Sequence, residues 1–106
     1  MKVQLALLIL KKSWIMWQIE FKPRAAKELR KLDPKQAKQI LAWLRIRLDS
    51  GADPRLFAEQ LTGNFKEFWR FRIGDFRVVF QPQEQKLLIM VVRVAHRREV
   101  YKHTEL

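Results

Sequence analysis

One hundred and six residues suffice for one domain with a modest core, since small domains bury only about 60 to 70% of the surface their unfolded chain exposes. With 48% hydrophobic and 31% charged residues the composition is that of a folded globular chain, and zero cysteines exclude a disulfide scaffold, a thiol nucleophile and a thiolate metal site. Lysine and arginine number 22 against 11 aspartate and glutamate, a formal net charge of +11, so a polyanionic partner is expected: nucleic acid first, then an acidic protein or an anionic membrane surface.

The first fifteen residues read differently from the rest, with the apolar run Val3 to Leu10 broken by Gln4 and followed by Lys11 and Lys12. The run is far short of the roughly 20 apolar residues a membrane span needs, and it lacks the small-x-small cleavage site of a secretory leader. The expectation is an upstream extension over residues 1–15, a functional start at Met16, a single domain over residues 16–106 and a cytoplasmic location.

From Trp17, apolar Trp17, Ile19 and Phe21 alternate with Gln18, Glu20 and Lys22, the period of a strand with one buried face. Pro23 opens a short helix whose Ala25, Ala26, Leu29 and Leu32 share a stripe. Asp33 and Pro34 are an N-cap and first-turn pair for a second helix, with Ile40, Leu41, Leu44 and Leu48 at helical spacing until Ser50 and Gly51. Residues 52–64 show little periodicity and predict a connecting loop, with a helical turn through Leu56 to Gln60. Phe65 to Ile73 and Phe76 to Gln81 flank Gly74 and Asp75 as a hairpin. Lys86 to His96 reads as a last strand, so apolar from Leu87 to Val92 that both faces should be covered, as inside a sheet. The order β-α-α-β-β-β predicts an α+β fold, an antiparallel sheet with a helical hairpin on one face.

Alternation in the hairpin sends Trp69, Phe71 and Ile73 to the core and Arg70 and Arg72 to the other side. With Phe76, Val78 and Phe80 facing the core, Arg77 turns outward beside that pair. If Val92 and Val94 face the helices, Arg93 and then Arg97 join the same surface, followed by Arg98, Tyr101, Lys102 and His103, with His96 beside them. Such a basic floor suits phosphate, because guanidiniums bind its oxygens in pairs and keep their charge. By itself, an arginine-alternating strand is also the ordinary solvated face of a half-buried sheet. Two histidines cannot make a multi-histidine metal centre, and no phosphate-binding glycine motif or HExxH spacing occurs, so no metal and no cofactor are expected. The apolar edge of the second helix at Trp43 and Ile46 offers a groove for a partner helix.

At WRFRIGDFRVVF and VVRVAHRREVYK the chain resembles the RelE-like toxins of bacterial toxin–antitoxin modules, closest to the RelE/StbE group. The likeness runs in order from Met16 to Lys102 through MWQIEF, AAKELRKLD, KQAKQILAWL and LTGN. It implies a small metal-independent endoribonuclease that cleaves messenger RNA in the ribosomal A site. The free toxin would be a monomer, neutralised as a hetero-oligomer with a cognate antitoxin. The fold is shared with ParE-like gyrase poisons, so gyrase inhibition and non-catalytic RNA binding stand as alternatives.

The resemblance implies roles for particular residues. Arg77 matches the arginine that contacts the scissile phosphate, Arg97 the one that stabilises transition-state charge, and Tyr101 the C-terminal tyrosine at the attacked nucleotide. Arg70, Arg72, His96, Arg98 and Lys102 fall among RNA-binding positions. Arg70 and Arg72 stand where well-known members carry lysines, and arginine does not give up its proton. The proton acceptor is then sought among Tyr101, His96, His103 or a ribosomal group.

Overall fold

The structure, a computed structural model, describes residues 17–102. The expected extension, the start at Met16 and His103 lie outside the described residues.

Strand β1 (Gln18–Phe21) half-buries Ile19 and Phe21 and exposes Gln18 and Glu20. Lys22 stays extended, Pro23 opens helix α1 (Pro23–Lys31), and Ala25 is fully buried with Leu29 and Leu32 packed beside it. The chain reverses at Leu32 and Asp33. The Asp33 carboxylate accepts the Lys35 backbone N–H at 3.0 Å and caps helix α2 (Pro34–Asp49), satisfying one amide that the first helical turn leaves open. Along α2, Ile40, Leu44 and Leu48 form the buried stripe.

The sheet has the order β1-β5-β4-β3-β2, with β2 (Ala58–Gln60), β3 (Trp69–Ile73), β4 (Phe76–Gln83) and β5 (Leu88–His96). The α+β class and the helical hairpin agree with expectation; three details of the sheet differ. Residues 54–57 form a 3₁₀ turn and Ala58–Gln60 a fifth strand on the edge of β3, where a helical turn was expected. β1 lies parallel to β5 while the other pairs are antiparallel. β1 and β5 are joined only through the rest of the domain, so no tight turn imposes an antiparallel pairing on them. β3 begins at Trp69, because Gly63–Phe65 form another 3₁₀ turn. β5 lies inside the sheet between β1 and β4, as its apolar run predicts.

Phe71 and Phe80 stack at 4.3 Å in the core, and Trp43 tilts against Phe71 at 5.2 Å. Trp43 therefore belongs to the packing rather than to an open groove, and the Arg47 guanidinium covers its ring at 3.9 Å. Ile46 is 65% exposed, as expected.

Between Val79 and Phe80 the β4–β5 register slips: Val79 pairs with Arg93 and Phe80 with Val91. Val92 is the additional residue of a β-bulge, which changes facing parity by one. Val91 and Val94 consequently both enter the core, whereas Val92 does not, correcting the expectation that Val92 and Val94 face the helices. Arg93 lies on the other face but is buried, only 4% exposed. Its Nε donates to Glu28 Oε2 at 2.9 Å, and Glu28 Oε1 accepts the Val94 backbone N–H at 2.8 Å. The β1–β5 register ends at Phe21 and Val91, so one carboxylate from α1 closes the sheet edge left open beyond it and neutralises a buried cation.

The loop after α2 is held by charge. Asp53 accepts the Arg55 backbone N–H at 2.9 Å and its Nε at 3.0 Å, while Arg55 Nη1 reaches Glu84 in the turn before β5. The Arg55 side-chain hydrogen bond is the chief reason the Asp53 carboxyl lies below its ordinary 3.8. A depressed carboxyl stabilises the fold above its unfolded pKa and loses that contribution as pH falls through the folded value. Asp53→Asn should lower the urea midpoint at neutral pH, by an amount equivalent to about 1 kcal/mol or less for so exposed a pair. The difference from wild type should close in strong acid, where Asp53 is protonated in both states.

Candidate nucleic-acid interface

Strand alternation in β3 buries Phe71 and Ile73 and turns Arg70 and Arg72 to the face away from the helices. Arg72 is paired in register with Arg77 on β4, across the two-residue turn at Gly74 and Asp75. Gly74 sits at φ +57, a conformation that an L side chain adopts with strain. Register places Val79 between Arg70 and Arg93, so the arginine stems line an apolar floor in which Val79 is fully buried.

Arg77 is on the expected face but is not the outward guanidinium that alternation alone predicts. It is 6% exposed, with Nη1 donating to Gly74 O at 3.0 Å and Phe76 O at 2.9 Å. The turn brings two carbonyl oxygens within reach, and the folded-back cation takes both. Its Nε is buried without a hydrogen bond among the described residues, a donor still to be satisfied.

Arg97 opens the short helix α3 (Arg97–Lys102). Its backbone N–H donates to Asp75 O at 2.8 Å, and its half-exposed side chain has Nε 3.9 Å from Asp75 Oδ1. The fold thus brings the start of α3, twenty residues along the chain, to the turn that carries Arg77. Arg98 is exposed nearby. Tyr101 and Lys102 fall on α3, and their side chains lie outside what the structure describes.

Two expected members add no charge to the basic floor. Arg93 is consumed by Glu28. His96 is the cross-strand partner of Phe76, which packs against the core, and the two rings meet edge to face at 5.8 Å. Cross-strand partners share a face, so His96 turns away from the arginine row, and its Nδ1 accepts the Arg98 backbone N–H at 3.3 Å. Arg93 keeps the side that counting from Val94 gives it and is covered by a carboxylate from another element, while His96, two residues after Val94, shares its core-facing side.

Sequence reasoning missed Glu59. It stands opposite Arg70 on β2, with Oε1 2.8 Å from Arg72 Nη2 and 3.9 Å from Arg70 Nε. A three-residue strand is too short to announce itself by period, so no signal in the sequence marked it. Elsewhere, a cleft of about 600 Å³ opens between β1 and α2, lined by Trp17, Ile19, Leu41, Leu44 and Leu48 with Lys38 and Arg45 among them. No described helix is long and apolar enough to cross a membrane.

A family model described as the ParE toxin of type II toxin–antitoxin systems, parDE, matches residues 19–101. Among solved structures, a double arginine-to-alanine variant of the E. coli toxin RelE, in complex with a peptide of the antitoxin RelB, is 30% identical. That match covers 86% of this chain and 99% of that one, with a TM-score of 0.61. The RelBE2 toxin–antitoxin complex from Mycobacterium tuberculosis contains a chain 20% identical, covering 77% and 99%, at a TM-score of 0.70. The YoeB/ParE toxin from Agrobacterium tumefaciens is 14% identical over 74% and 96%, at 0.59. No curated protein sequence matches.

Proposed function

Since the chain belongs to the ParE toxin family of type II toxin–antitoxin systems, within the superfamily that includes RelE, we propose that it is a toxin of the messenger-RNA-cleaving kind. It acts in the cytoplasm as a ribosome-dependent, metal-independent endoribonuclease and inhibits translation by cutting in the A site. The observation that carries this reading is the cluster of Arg72, Arg77 and Arg97 around the β3–β4 turn, with Arg70 beside it. Four guanidiniums near one turn supply what phosphoryl transfer asks of a protein: fixed positive charge where the phosphate oxygens gain negative charge.

In this mechanism Arg70 and Arg72 clamp the RNA backbone. Arg77 exchanges its turn carbonyls for the oxygens of the scissile phosphate, and Arg97 stabilises the charge that builds on them. Tyr101 packs on the attacked nucleotide, and Arg98 and Lys102 hold flanking phosphates. His96 seats the start of α3 rather than touching RNA. A cognate antitoxin completes the system as a hetero-oligomer, in keeping with the antitoxin-bound relatives, and the free toxin is a monomer. The cleft beside α2 and exposed Leu41 and Ile46 suit an apolar antitoxin segment.

The family model's own name favours a second reading, gyrase inhibition on the same fold. Purified protein added to translating ribosomes with a defined messenger and a metal chelator separates the two. Primer extension should map codon-spaced cuts that naked RNA lacks, and gyrase supercoiling should proceed normally. Blocked supercoiling without cuts overturns the nuclease.

A further inference from the structure

An RNA strand cut by its own 2′-hydroxyl requires a group that accepts that proton. Arginine holds its proton throughout the pH range in which proteins are folded, so Arg70, Arg72, Arg77 and Arg97 supply charge and none supplies basicity. Glu59 has what they lack. Its Oε1 is anchored by Arg72 Nη2 at 2.8 Å with Arg70 Nε at 3.9 Å, while half of the side chain stays open to solvent. As the cross-strand partner of Arg70 it projects from the face that carries Arg72 and, one strand further, Arg77. The carboxylate is therefore aimed by the cations that would grip the phosphate, and it is reachable by the nucleotide they hold.

Resting on the reading of this chain as an RNA endonuclease, we infer that Glu59 is the general base of the cleavage step. The 2′-oxygen forms its bond to phosphorus as its proton passes to the Glu59 carboxylate. The bond from phosphorus to the 5′-oxygen breaks, and that oxygen takes a proton from water. The products are a 2′,3′-cyclic phosphate and a 5′-hydroxyl, and the hydroxide left by the water removes the proton from Glu59. Carboxylate and arginines divide the labour that a lysine pair would combine.

A carboxylate that merely screens the arginines predicts the opposite sign when it is neutralised. The test is single-turnover cleavage on programmed ribosomes by the full chain and by Glu59→Gln at neutral pH. Binding to a 2′-deoxy-substituted, uncleavable messenger is measured in parallel. Glu59→Gln should slow cleavage by about 10²-fold or more at neutral pH and bind the uncleavable messenger at least as well. Glu59→Asp should recover part of the rate. If wild type cuts and Glu59→Gln cuts as fast or faster, Glu59 is not the base and the nuclease reading stands. If wild type cuts nothing, the nuclease reading and this assignment fall together.

Discussion

Alanine in place of Arg77 is expected to lower ribosome-dependent cleavage by on the order of 10²- to 10³-fold, the usual effect of removing one preorganised donor from a developing oxyanion. Its place in the fold explains the size of the effect. Nη1 is already desolvated against the Gly74 and Phe76 carbonyls and Nε is buried, so little solvent reorganisation accompanies its transfer to phosphate. Arg77→Lys keeps the charge but not the two-pronged geometry, and should recover only part of the rate. Because the same side chain holds the turn, alanine should also cost about 1 to 3 kcal/mol of stability, read as a lower urea midpoint. Cleavage at the wild-type rate by a destabilised Arg77→Ala protein would reduce Arg77 to a latch for the turn.

The largest stability loss is expected at Glu28. Glu28→Ala leaves Arg93 buried without its carboxylate and strips the Val94 amide of its acceptor, and stranding a buried charge typically costs about 3 to 5 kcal/mol. That is a large share of the total for a domain of this size. Adding Arg93→Met should return much of the loss, because replacing both members of a buried pair is far milder than removing one. Equilibrium unfolding of wild type, the single variant and the double variant tests this. A double variant no more stable than Glu28→Ala would show that the carboxylate works through the sheet edge alone.

Neither the latching of Arg77 onto its own turn nor the Glu28–Arg93 pair could have been read from the chain. The helical stripes of Leu29, Ile40, Leu44 and Leu48, and the alternation from Trp69 through the Gly74–Asp75 turn to Phe80, were legible because each is set by neighbours within one element. They carried the fold class and put Arg70, Arg72 and Arg77 on one face. Alternation states which side a residue takes and is silent about what lies on top of it. Arg77 is buried by its own turn, and Arg93 by a glutamate 65 residues earlier in the chain. Residues 58–60 are a strand because β3 presents unpaired amides and carbonyls, a demand that comes from the partner and leaves no period in Ala58, Glu59 and Gln60.

The additional residue in β5 makes Val92 a frame marker for the closing motif of the chain. Deleting it would not simply shorten a strand. It would remove the bulge: Arg93 would follow Val91 directly and still oppose Val79, Val94 would still oppose Val78, and every downstream residue would keep its side while the local bend was lost. Single-residue variation in length should accordingly be absorbed at position 92 or in the turn at residues 84–86, whose helical residues are not buried, and excluded from the rest of β5, where it would reverse the facing of the residues that follow. An alignment of this chain with relatives that lack the bulge carries its gap at position 92, and the numbering of every basic residue in the closing motif depends on putting it there.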